Sequence, residues 1–240
     1  MKMEKAVMNR WADGIRDGIP IGLGYLSVSF TFGMMAVSCG IPVWAAVAIS
    51  MTNLTSAGQF AGISMIAASA SFLEVALTQL VINIRYALMS LSLSQRLEKT
   101  VKTMGRMGIS FGITDEIFAV ASTKESKVGK RYMAGLIFVP YIGWTVGTLL
   151  GAAAGTFLPE AIRSALGIAI YGMFLAIIVP AAKKSFPVFV VILIAVAMSC
   201  VFRWAPVLNQ VSSGFVIIIC SVTAAIVGAV LFPKREERGL

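Results

Sequence analysis

Histidine is absent from all 240 residues. That excludes a serine–histidine nucleophile relay, an HExxH zinc site and a histidine-ligated haem. Charge is scarce too: Asp, Glu, Lys and Arg make up 13% of the chain, against about 25% in an ordinary soluble domain. Acids are the rarer sign, 11 against 20 basic residues, for a formal net charge of +9. The three cysteines, Cys39, Cys200 and Cys220, lie in apolar stretches without metal-ligand spacing and read as small buried hydrophobes. What is plentiful is apolar side chain: 58% of residues are hydrophobic and the mean hydropathy is +0.87. So few polar groups cannot cover a water-facing surface. A soluble globular domain is excluded and the chain reads as an integral membrane protein. The basic excess does not point to nucleic acid, because the charges lie between apolar runs, where they orient a chain in a bilayer.

A helix needs about 20 apolar residues to cross the hydrocarbon core. Candidate spans are 19–38, 43–69, 72–94, 133–157, 162–182, 186–204 and 212–232, with a shorter apolar stretch at 107–122. Residues 1–18 are charged and amphipathic and lack the basic, apolar, small-residue order of a signal peptide, so no cleavage is expected. No long polar linker interrupts the chain, and 1–240 is expected to form one transmembrane domain. Most basic residues fall in five groups: Lys2 to Arg16, Arg96 to Arg106, Lys124 to Arg131, Lys183 with Lys184, and Lys234 to Arg238. Placing all five in the cytoplasm requires 19–38 and 107–122 each to enter and leave on one side. The expected fold is therefore all-α and polytopic, with six full crossings and two glycine-rich broken or re-entrant segments, and the C-terminus is cytoplasmic. The alternative is eight crossings with the basic 95–106 loop outside.

A repeat is also expected. Arg16-Asp17-Gly18-Ile19-Pro20-Ile21-Gly22 and Arg106-Met107-Gly108-Ile109-Ser110-Phe111-Gly112 share R-x-G-I-x-x-G at an offset of 90 residues. The spans 43–69 and 72–94, shifted by the same amount, fall on 133–157 and 162–182. The units would be about 16–94 and 106–184, followed by an added helix pair at 186–232. Repeats meeting at a central site are a common transporter plan. The other reading is coincidence between glycine-rich membrane helices.

Polar residues within apolar stretches mark the candidate site. Asp115 and Glu116 sit inside Phe111-Gly112-Ile113-Thr114-Asp115-Glu116-Ile117-Phe118. Each charge at membrane depth costs roughly 2.5–3.5 kcal/mol on insertion scales, so two in a row need water, a cation or a partner. They form a substrate or ion site, or a surface turn. Arg85 lies well inside the 72–94 span, with Asn83, Gln79 and Thr78 nearby. Its permanent charge calls for an acid, and Asp115 and Glu116 are the expected partners, unless it binds an anionic ligand. Thr52 to Gln59 place small, hydroxyl, amide and glycine residues in mid-span. This suits a broken helix whose freed amides, around Ser56 and Gln59, meet a carboxylate; tight interhelical packing is the alternative. Tyr25, Phe30 and Phe32 supply either an apolar wall or plain packing. Glu74, near a span end, reads as an interface residue. Gly143, Gly147, Gly151 and Gly155 form a close-packing ridge.

At these residues the chain resembles the AzlC-type large subunits of bacterial branched-chain amino acid exporters. The likeness covers most of the chain. It is carried by Gly24-Tyr25-Leu26 through Phe30-Thr31-Phe32-Gly33, by Ser56-Ala57-Gly58-Gln59-Phe60, by Asn83-Ile84-Arg85-Tyr86 and, most specifically, by Phe111 to Ala119. Ser27, Gly58 and Tyr86 depart from the family, whose members often carry proline, serine and histidine there. Tyr86 argues against histidine-based proton coupling. The resemblance implies a multi-pass protein of the bacterial plasma (inner) membrane that exports leucine, isoleucine and valine, with methionine a further candidate. It also implies a partner, a small hydrophobic subunit of the AzlD type.

The chain itself carries no phosphate-binding loop or ATPase module, so ion-gradient coupling is expected. No enzymatic activity, catalytic residue, metal or cofactor is expected. An intramembrane protease would need a Ser–His pair or a second membrane aspartate. A non-transporting scaffold or sensor is the rival class. The substrate-binding candidates are Arg85, Asn83, Asp115, Glu116, Thr114, Ser56, Gln59, Tyr25 and Phe30.

Overall fold

The computed structural model describes residues 7–157, 159, 175 and 178–233, and is helical almost throughout. The helices are α1 (Trp11–Ser38), α2 (Val43–Thr52), α3 (Ser56–Ala67), α4 (Phe72–Arg96), α5 (Thr103–Phe111), α6 (Asp115–Ser122), α7 (Lys130–Phe157), α8 (Phe186–Trp204) and α9 (Ser213–Leu231). Isolated bridges join Val128 to Met8 and to Leu97. By length and composition, α1, α4, α7, α8 and α9 can each cross a membrane. Four of these match the expected spans at 72–94, 133–157, 186–204 and 212–232. Most of the 162–182 span and the basic residues Lys2, Lys5, Lys234, Arg235 and Arg238 lie outside the described residues.

The first glycine-rich segment differs from expectation. Residues 19–38 are not broken; they belong to α1, a continuous 28-residue helix containing Pro20. At 1.5 Å per residue it is about 42 Å long. Its glycines hold α7 against it, and that packing keeps the segment helical. A Cβ added at Gly18 would lie 2.9 Å from the Leu136 carbonyl oxygen, and one at Gly143 2.5 Å from that of Gly22. The ridge Gly143, Gly147, Gly151 and Gly155 faces α1, as its four-residue spacing predicts. After α1 the chain turns at Gly40, whose φ of +82° suits glycine, and Pro42 leads into α2.

Two other segments are broken. The stretch 43–69 splits into α2 and α3 around Asn53-Leu54-Thr55, and 107–122 splits into α5 and α6 around Gly112-Ile113-Thr114. Both breaks have one construction. The middle residue is buried, Leu54 at 7% and Ile113 at 5% exposure. The threonine then caps the next helix: Thr55 Oγ1 accepts the Gly58 N–H at 3.3 Å, and Thr114 Oγ1 the Ile117 N–H at 3.4 Å. The breaks do not follow the 90-residue offset. Residues 143–145, 90 beyond the first break, lie inside unbroken α7, and residues 22–24, 90 before the second, inside unbroken α1.

The chain divides into two compact units: 1–63 with 83–168, and 64–82 with 169–240. Two of these limits fall within α3 and α4, because the C-terminal half of α4 packs with α5 to α7. Leu93 and Leu97 share an apolar core with Ile109, Ile117, Tyr132 and Leu136. In the second unit α8 lies along α9, and Gly228 admits Val191. Glu74, in the first turn of α4, is held by protein. It is 4% exposed, and its Oε1 accepts the Gly214 N–H at 2.9 Å, satisfying a first-turn amide of α9. Glu74→Ala is expected to leave that amide unpaired and to lower stability by about 1–3 kcal/mol, read as thermal unfolding in detergent micelles.

Candidate functional site

In the first unit, the two helix breaks meet at one pair of aromatic rings. Tyr25 of α1 and Trp144 of α7 pack edge to face with centroids 5.1 Å apart, and Leu54 from the first break packs against both. From the second break, Glu116 reaches the same place and accepts a hydrogen bond from the Tyr25 hydroxyl. Trp144 Nε1–H donates to Gln59 Oε1 at 3.1 Å. Gln59 Nε2 in turn donates to the Asn53 carbonyl at 2.5 Å and the Ile49 carbonyl at 3.3 Å, tying the end of α2 to the start of α3. Behind this lies a buried hydroxyl pair, Ser50 and Thr148, at 2.7 Å. Broken backbone at membrane depth is tolerated where protein satisfies the freed groups, and these side chains do so.

Arg85, on α4, reaches Asp115 at the start of α6: Nη2 to Oδ2 is 3.0 Å. Both side chains are about half exposed, 46% and 47%, so the pair opens onto the surroundings. Arg85 Nη2 also donates to the Tyr86 hydroxyl at 3.2 Å, and the guanidinium lies 5.0 Å from that ring's centroid. The first-turn amides of α6 carry partial positive charge, which favours the Asp115 and Glu116 carboxylates. The result is a guanidinium and a carboxylate in contact at the positive end of a half-helix, with a second carboxyl group next in sequence on that helix.

The structure brings the sequence candidates together unevenly. Arg85 and Asp115 pair directly, whereas Glu116 pairs with Tyr25 rather than with the arginine. Thr114 is a helix cap, buried at 2%. Ser56 opens α3 half-buried, at a helix start whose first amides have no carbonyl of their own helix to bind. The side-chain amide of Gln59 has both ends engaged by protein at the first break, where it braces the break. Asn83 precedes Arg85 by two residues on α4, about 200° around the helix, and so lies on another face. Tyr25 is buried and anchors Glu116 instead of forming an open wall. Phe30 lies about 140° from Tyr25 around α1, with its carbonyl against Gly151; the aromatic on the Tyr25 face is Phe32, packed on Phe60 with centroids 5.6 Å apart.

Sequence reasoning missed Trp144. Its signal was a large ring, with an N–H that needs a partner when buried, set inside a glycine ridge. Trp144→Phe is expected to orphan the Gln59 oxygen and lower the melting temperature, at a cost of about 1–3 kcal/mol. Also missed was a second polar cluster, where Asp17 Oδ2 meets Lys124 Nζ and the Tyr132 hydroxyl, each at 2.7 Å.

Comparison with known proteins agrees with this picture of a membrane protein. The chain is 30% identical to the Escherichia coli (strain K12) inner membrane protein YgaZ, over 72% of this chain and 73% of YgaZ. It is 32% identical to an uncharacterized membrane protein of Archaeoglobus fulgidus, over 75% of this chain and 79% of the relative. A Helicobacter pylori (strain 26695) membrane protein is 28% identical over 62% of this chain and 68% of its own length. No solved structure matches. The family described as AzlC protein matches residues 20–158, a stretch that contains both helix breaks, the Arg85–Asp115 pair and the Tyr25–Trp144 contact. This chain is a multi-pass membrane protein and belongs to the AzlC family.

Proposed function

We propose that the protein is a secondary transporter that exports branched-chain amino acids, leucine, isoleucine and valine, across the bacterial plasma membrane, driven by an ion gradient. Methionine is a fourth substrate to test. The observation that carries the reading is the Arg85–Asp115 pair, half-open, beside two capped helix breaks. A zwitterion presents one carboxylate and one ammonium. Arg85 and the first amides of α3 at Ser56 suit the carboxylate; Asp115 and Glu116 suit the ammonium or a coupling proton. In this cycle the ion pair opens when substrate enters and closes when it leaves. A small hydrophobic subunit of the AzlD type completes the transporter, and the C-terminus lies in the cytoplasm with the basic loops.

Counterflow in proteoliposomes tests it. The full chain, with and without a small hydrophobic partner, is loaded with unlabelled leucine and given labelled amino acids outside. Uptake of leucine, isoleucine and valine but not of aspartate or lysine is expected. No flux of any amino acid with either preparation would favour a scaffold or sensor.

A further inference from the structure

Away from the polar site, the first unit carries an apolar groove of about 480 Å³ that runs from the start of α1 along α5 and the first three turns of α7. Trp11, Met104, Gly108, Phe111 and Phe138 line it, and Lys130 stands among them. Met104 and Phe111 are exposed, and Trp11 packs on Phe138 with centroids 5.7 Å apart. The three helices begin at Trp11, Thr103 and Lys130, so three positive helix ends share this end of the unit. Basic side chains gather with them: Arg10 precedes α1, Lys102 precedes α5, and Lys130 and Arg131 open α7. Arg10 is shared with Asp13 at 3.9 Å, whereas no ion pair among the described residues uses Lys130, Lys102 or Arg131. Lys130 lays its stem along α5, with Cδ 3.7 Å from a Cβ built at Gly105, which leaves its ammonium at the polar edge.

Gly108 shows that the space belongs to the groove and not to packing within the protein. A glycine inside a helix costs about 1 kcal/mol relative to alanine. At Gly14, Gly33 or Gly151 a neighbouring backbone fills the place a Cβ would take; at Gly108 nothing lies within 4 Å. The missing side chain leaves an open apolar slot running from a cationic edge.

We propose that this groove binds an anionic phospholipid, its acyl chain along Gly108, Phe111 and Phe138 and its phosphate against Lys130 and the neighbouring helix N-termini. Charge complementarity selects this occupant. A zwitterionic lipid would bring a choline to an edge where Lys102, Lys130 and Arg131 outnumber the one acid, Asp13, that Arg10 already engages, and an apolar helix would leave that edge unanswered. The proposal does not depend on what the protein transports.

The test is lipid retention by the purified full chain in detergent, read by native mass spectrometry with phosphatidylglycerol and phosphatidylcholine. Wild type is expected to hold phosphatidylglycerol preferentially. Lys130→Gln should reduce that preference about fivefold, the worth of one lysine beside an anionic headgroup. Gly108→Leu, placed where an added Cβ meets nothing within 4 Å, occupies the slot and should weaken both lipids by on the order of tenfold, from about two lost methylene contacts. Circular dichroism and gel filtration check that each variant is folded. Equal retention of the two lipids by wild type, or unchanged retention in Gly108→Leu, overturns the proposal. So does a photo-crosslinker at Met104 that captures a polypeptide rather than lipid in cells.

Discussion

Arg85→Ala is expected to insert and fold normally and to lose leucine efflux. The two halves of that outcome rest on different magnitudes. As a structural element the Arg85–Asp115 pair is half exposed, and such pairs contribute about 0–1 kcal/mol. For a chain of this size that is a melting shift of no more than about 4 °C. As a carboxylate-binding group Arg85 would be worth about 2–5 kcal/mol, the cost of removing one member of a desolvated charge pair. Two kcal/mol alone lowers transport about 30-fold. A large loss of flux with little loss of stability therefore separates a binding group from a strut. Arg85→Lys keeps the charge but not the two-pronged fork, and should fall between wild type and Arg85→Ala. Exchanging the pair, Arg85→Asp with Asp115→Arg, restores a salt bridge but reverses its polarity. Efflux should not return if substrate reads that polarity. Wild-type efflux from Arg85→Ala vesicles, or full rescue by the exchange, would refute the assignment.

The second large effect is expected at Gly151. A Cβ there would run into the Phe30 carbonyl oxygen, so α1 and α7 touch backbone to backbone. Gly151→Leu must push the helices apart. Overpacking ordinarily costs about 1–3 kcal/mol, and a rigid backbone neighbour places this site at the upper end. The melting temperature should fall by roughly 6–12 °C, and flux should fall with it, because the same helices carry Tyr25 and Trp144. Gly24, on α1 as well, has nothing within 4 Å of a built Cβ, so Gly24→Ala should be neutral or slightly stabilising. Equal tolerance at both positions would mean that α1 and α7 do not pack as described. Size-exclusion profiles with thermal unfolding in detergent decide it.

Much of this site was legible before any coordinates. Arg85, Asp115 and Glu116 stood out because charge inside an apolar stretch is costly, and the structure places two of the three in contact. The glycine ridge was legible from its four-residue spacing, since one helix face repeats at about that period. The break near Ser56 and the one before Asp115 were legible from hydroxyl and glycine content. Phe30 and Gln59 show where such reading stops. Composition says that an aromatic ring and an amide are present, but rotation about the helix decides that Phe32 rather than Phe30 shares the Tyr25 face. Only Trp144, far along the chain, decides that the Gln59 oxygen is already taken.

The amino-acid order alone determined the solvent, the helical class and the family, because hydropathy, charge spacing and short motifs are local properties. Tertiary structure decided which glycine-rich segment breaks. Residues 19–38 hold glycines and a proline yet stay helical, because α7 supplies a packing surface along them. Residues 107–122 break, because Ile137 of α7 fills the place a side chain at Gly112 would need and Thr114 caps the helix that follows. A glycine permits close approach and a turn equally well. The neighbour that arrives across the fold settles which of the two occurs.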